Sequence, residues 1–143
     1  MTNPFTELQN RIGEINEKSG FNQAKDIPEE YRDLYWDRKL LLVISEIAEA
    51  QDEMRSGHAV DERYESYPPV PPSLAVEFAS GADATEHWEN SQPGKPEGTP
   101  SEMADAVIRL IGVAHEAKFD LFEVIFHKLD YNETRGYRHG KQF

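Results

Sequence analysis

The sequence predicts an all-α protein: a helical bundle of four to five main helices carrying one long, proline-rich insertion. Three observations carry that expectation. Apolar residues recur at steps of three and four through most of the chain, no stretch alternates long enough for a sheet strand, and seven of the nine prolines fall between residues 58 and 100. The remaining segments are therefore largely free of helix breakers. At 143 residues and 38% hydrophobic, the chain fits one domain spanning 1–143. Its mean hydropathy of -0.72 leaves little apolar surplus, so self-association would help it.

The first helix is expected from about Pro4 to Ser19, with Phe5, Leu8, Ile12 and Ile15 at helical spacing, Asn3 as cap and Gly20 as stop. Residues 21 to 35 begin as a loop, and Asp26 to Glu30, around Pro28, open a new helical turn. A long helix then runs to about Ser56, with Tyr35 and Trp36 anchoring its start. On its wheel Leu40, Val43, Ile44, Ile47 and Met54 form the expected inward face, flanked by a stripe of Glu46, Glu49 and Glu53 that Lys39 continues upstream. The helix from Ser101 to about Lys118 repeats this arrangement. Met103, Val107, Leu110 and Ala114 are expected inward, and Glu102, Asp105 and Arg109 share the flank. A last helix starts near Asp120, where Asp120 and Glu123 resemble a capping box. Phe122, Ile125 and Leu129 give its apolar face, and Lys128, Asn132 and Arg135 its polar flank. Between 58 and 100 the chain is read as a loop or lid, with SLAVEFA (73 to 79) as a short helix and Trp88 in a loop.

The acidic pairs point to chemistry. Glu46 with Glu49, and Glu102 with Asp105, each sit three apart, so each pair places two carboxylates on one helix face roughly 5 to 6 Å apart at Cβ. An ExxE pair on a solvated helix is commonplace. Two pairs at the same angular offset beside apolar stripes are less so, and two such helices facing each other would make a four-carboxylate cage suited to a hard divalent cation.

Other classes are set aside. There are no cysteines, so no disulfide scaffold or thiolate site exists, and the composition suits a cytoplasmic protein. No apolar run approaches membrane-spanning length, and the N-terminus lacks a signal-peptide pattern. A net charge of -12 argues against stable nucleic-acid binding. None of the five histidines follows an acid by three residues, as a ferritin-like di-iron site requires, and no HExxH, EF-hand loop or GxSxG is present. The segment from 128 to 143 is locally basic, with Lys128, Arg135, Arg138 and Lys141 against Asp130 and Glu133.

In order, LLVISEIAEAQDEMRSG, EGTPSEMADAVIRLIGVA and HKLDYNETRGYRHGK resemble the MazG-like branch of the all-α NTP pyrophosphohydrolases, covering roughly 36 to 56 and 97 to 141. The resemblance implies hydrolysis of nucleoside triphosphates, NTP or dNTP, to monophosphate and pyrophosphate with Mg²⁺ or Mn²⁺, in a homodimer or homotetramer. Carried over by position, Glu46, Glu49, Glu102 and Asp105 would be metal ligands. Glu49 would also orient or deprotonate the attacking water. Lys128, Asn132, Arg135, Tyr137, Arg138, His139 and Lys141 would bind the substrate, and we add Lys39 and Arg109 from the stripes that flank the acids. The competing expectation, from charge and size alone, is a non-catalytic acidic binding module such as a DNA mimic or a protein-partner inhibitor.

Overall fold

The computed structural model describes residues 3–78 and 80–135. Among them it is all-α, with six α-helices and one two-stranded ribbon. The tail positions Tyr137, Arg138, His139 and Lys141 lie outside the described residues. The chain divides into two compact units, one formed by residues 1–44 and 106–143 and the other by 45–105.

In the first unit, helix α1 (Pro4–Lys18) begins where the sequence places it. The Asn3 side chain accepts from the Phe5 N–H at 3.0 Å, and the following Gly20 takes φ 76°, a left-handed stop. Two 3-10 turns, Ala24–Asp26 and Glu29–Tyr31, lead into helix α2 (Arg32–Arg55). Helix α5 (Thr99–Glu116) meets α1 where side chains are smallest: a Cβ on Gly13 would collide with the His115 ring, and one on Gly112 with the Asn16 amide. Gln9 ties the start of helix α6 (Leu121–Glu133) to α1. Its amide donates to the Phe119 carbonyl at 2.7 Å and accepts from the Leu121 N–H at 3.1 Å. Asp120 caps α6 through the N–H groups of Phe122 and Glu123, and Phe5 stacks on Phe122 at 4.9 Å.

A half-buried polar knot closes the same unit. Glu116 accepts from the Ala24 N–H at 2.7 Å, from the Tyr35 hydroxyl at 2.7 Å, and from the Lys39 ammonium at 3.0 Å. Lys39 donates also to the Phe21 carbonyl at 2.7 Å. These bonds fasten the 21–35 connection to both long helices.

In the second unit, the segment after α2 folds on itself. A reversal at Gly57 (φ 97°) is followed by His58, which bonds Glu62 at 2.9 Å and stacks on Tyr64 at 4.9 Å, while the Tyr64 hydroxyl donates to Glu53 at 3.0 Å. The Glu62 bond raises the His58 pKa above its ordinary value. Strand β1 (Tyr64–Ser66) pairs antiparallel with β2 (Lys95–Glu97), with Tyr64 opposite Glu97 and Ser66 opposite Lys95. Two three-residue strands are too short to show alternation, which is why the sequence does not reveal them. Helix α3 (Pro72–Ala75) is the expected short helix, reduced to one turn. Helix α4 (Gly81–Asn90) is unexpected. Ser80 caps it by accepting from the Asp83 N–H, and Trp88, read as a loop residue, lies on it and donates its indole N–H to the Pro68 carbonyl at 2.8 Å.

The burial pattern corrects the expected helix faces. Leu40, Ile44, Ile47 and Met54 on α2, and Met103, Val107 and Leu110 on α5, are exposed, and Val43 is half-buried. What α2 buries is Glu46 and Ala50; what α5 buries includes Glu102, Ala106, Ile111 and Ala114. Helical phase identifies an apolar stripe but not its cover. Alanines four residues below each acid allow close helix approach, whereas the bulky apolar stripe requires something else to cover it. No helix among the described residues is long and apolar enough to cross a membrane.

Candidate metal centre

The site belongs to the second unit and is built by the start of α5 against the later half of α2. Gly98, at φ 97°, turns the chain out of β2, and a Cβ there would press on the Glu62 carbonyl oxygen. Thr99, 2% exposed, opens α5 and donates its hydroxyl to the Ala50 carbonyl at 3.4 Å. Ser101 donates to the Pro96 carbonyl at 3.0 Å. The small residues Ala50, Gly98 and Thr99 bring the backbones together, and Glu46 and Glu102, each one turn from that contact, are carried inward with them.

Three carboxylates converge as a result. Glu46, Glu49 and Glu102 each offer an oxygen, and the three atoms lie within 4.8 Å of one another. Glu46 and Glu102 are 5% and 6% exposed, while Glu49 is exposed. Burial, followed by the charge of Glu49 and contributions from Asp105 and Glu46, pushes the Glu102 carboxyl above its ordinary range; Lys95 partly opposes this. Like charges held this close with two of them out of water favour a hard divalent cation, and a set of carboxylate oxygens is the donor set such a cation takes. The residues therefore fit Mg²⁺ or Mn²⁺.

Asp105, the fourth expected ligand, is exposed and outside the group of three, although its charge acts on Glu102. The expected substrate residues that are described, Lys39, Arg109, Lys128, Asn132 and Arg135, belong to the first unit. Lys39 is engaged by Glu116 and the Phe21 carbonyl. Arg109 is exposed on α5, and Asn132 is half-buried on α6. Lys128 and Arg135 lie 5.6 and 5.8 Å from the Tyr131 ring centroid.

One basic group near the start of α5 is not among the expected substrate residues. Lys95, on β2, pairs with Glu97 at 3.0 Å, and its charge acts on Glu102 and Asp105. Its position seven residues before Glu102 was the available signal, but only pairing of β1 with β2 sets where it stands.

An all-α chain whose second unit gathers three carboxylates from two helices is the class that fold and site define. Comparison with family models, with curated proteins and with solved structures finds no match.

Proposed function

We propose that the protein is a divalent-metal-dependent nucleoside triphosphate pyrophosphohydrolase, converting NTP or dNTP to the monophosphate and pyrophosphate in the cytoplasm. The observation that carries this reading is the convergence of Glu46, Glu49 and Glu102 from two helices, two of them buried, within 4.8 Å. The ordered resemblance of the three motifs to MazG-like enzymes supports the choice of substrate.

Glu46, Glu49 and Glu102 would hold Mg²⁺, with Asp105 completing the set as a ligand at its exposed edge. Bound there, Mg²⁺ would neutralise phosphoryl oxygens and acidify a water. Glu49, the exposed member, would orient a water and accept its proton as the water oxygen bonds to the α-phosphorus and the bond from that phosphorus to the α–β bridging oxygen breaks, the oxygen leaving with pyrophosphate. What the resemblance implies for the substrate is binding by Lys128, Asn132, Arg135, Tyr137, Arg138, His139 and Lys141, and we add Arg109. Lys39 contributes by bracing the 21–35 connection through Glu116. The exposed apolar stripes of α2 and α5 support self-association as a dimer or tetramer.

The test is incubation with each NTP and dNTP plus Mg²⁺ and measurement of pyrophosphate. Pyrophosphate release is expected from the wild type. Glu46→Gln and Asp105→Asn should each reduce turnover by 100-fold or more, an order-of-magnitude expectation for lost metal ligands, with unchanged circular dichroism. Full activity in both variants overturns the site. Release of orthophosphate alone indicates another phosphatase chemistry, and no release from any nucleotide favours an acidic binding protein.

A further inference from the structure

The insertion strand β2 carries a cation beside the start of α5, and hydrogen bonds hold the strand there. Thr99 bonds α2 through Ala50, Ser101 bonds back to Pro96, and Tyr64, opposite Glu97 in the ribbon, bonds Glu53 on α2. On β2, Lys95 and Glu97 share one face, because side chains two apart on a strand point the same way. Both oxygens of Glu97 are engaged, one by the Ser66 hydroxyl at 2.7 Å and the other by the Lys95 ammonium at 3.0 Å. The Lys95 side chain is nonetheless 69% exposed. An ammonium has three donors and the bond to Glu97 uses one, so a second anion can be received without breaking that pair.

The backbone locates this cation: the carbonyl of Pro96, the residue after Lys95, takes the hydroxyl of Ser101, the residue before Glu102, at 3.0 Å. A triphosphate brought to a carboxylate cluster meets repulsion wherever metal does not neutralise it. A point charge on a flexible stem at the edge of that cluster is the group suited to an outer phosphate.

Resting on the pyrophosphohydrolase reading, we propose that Lys95 is a substrate-binding residue, through which the insertion contacts the triphosphate of the nucleotide. This gives the 58–100 segment a direct part in substrate binding. A purely structural Lys95 would brace the ribbon through Glu97, but Ser66 already holds Glu97.

The experiment titrates the full chain with an α,β-methylene nucleoside triphosphate in Mg²⁺ and, separately, with Mn²⁺ alone followed by electron paramagnetic resonance. Lys95→Met is expected to weaken analogue binding about 10-fold, and Lys95→Arg to stay within about threefold of wild type, as for loss and retention of one charged phosphate contact. Mn²⁺ binding without nucleotide should be undiminished in Lys95→Met, since removing a nearby positive charge does not disfavour a cation. A Lys95→Met protein that binds the analogue like an active wild type overturns the role of Lys95 alone. Equal weakening of analogue and Mn²⁺ overturns it in favour of a bracing role. A wild type that neither binds the analogue nor releases pyrophosphate overturns the parent reading and this one with it.

Discussion

Glu102 and Glu116 are both carboxylates on α5, and their surroundings push them in opposite directions. Burial and the neighbouring acids hold Glu102 above the ordinary carboxylate range. A group raised in this way favours the fold at acid pH, and that contribution is lost as pH rises through the raised pKa. Glu102→Gln without metal should therefore melt higher than wild type at neutral pH, with the difference closing on acidification, and should lose the rise in Tm that Mg²⁺ gives the wild type. Identical metal-free melting and an identical Mg²⁺ response would remove Glu102 from the centre. Burial also acts to raise Glu116, but the Ala24 N–H, the Tyr35 hydroxyl and the Lys39 ammonium outweigh it and hold the carboxyl low. Its contribution is present above the ordinary carboxylate range and lost as pH falls through the depressed pKa. Urea unfolding of Glu116→Gln at neutral pH should show a loss on the order of 2 kcal/mol, as for removing the charge from a half-buried bonded pair. That loss should shrink toward pH 3, and a constant difference across pH would rule out the ionised form as the stabilising one.

At the scale of elements, local signals were legible and pairings were not. Asn3, Gly20 and Asp120 mark helix ends that each depend on bonds or dihedrals within one turn, so residues 3–5, 18–20 and 120–123 suffice to read them. Ser80 followed by Asp83 was a cap of the same kind. It announced α4, but the surrounding prolines and glycines obscured it. The β1–β2 ribbon had no such signal, because its register depends on residues about thirty apart. Gly98 is the joint between that ribbon and α5. Gly98→Ala places a side chain at φ 97° against the Glu62 carbonyl oxygen, at a cost of about 1–3 kcal/mol. The expected result is a lower Tm together with weaker Mn²⁺ binding, since Thr99 and Glu102 follow directly. A variant with wild-type melting and metal affinity would show that the joint does not position the acids.

Across the described residues, a shortage of apolar cover is the recurring feature. Leu41 and Ile44 are each 63% exposed and Ile47 54%, and among the described large apolar residues only Ile12 and Ile111 are below 9%. In the proposed dimer or tetramer these exposed stripes would be the association surfaces. Light scattering is expected to give a mass at a multiple of 16.4 kDa, and Leu41→Glu combined with Ile44→Glu is expected to shift it toward the single-chain value. A wild type that already runs as a monomer would overturn self-association.

Composition, helical period and capping residues were enough for the all-α class, the order of the long helices and the acidic pairs, because each is encoded within a few neighbouring positions. They also flagged 58–100 as a different kind of segment through its prolines. Which stripe of each helix is buried was decided by the fold. Ala50, Gly98 and Thr99 let α2 and α5 approach along the acidic side, so Glu46 and Glu102 went inward and Ile44, Ile47 and Val107 stayed out. Periodicity names a face, but which neighbour covers it depends on contacts far apart in the chain. Asp105 stays outside the group of three, and contacts far apart in the chain commit Lys39 to Glu116 and hold β2, with Lys95, beside the start of α5.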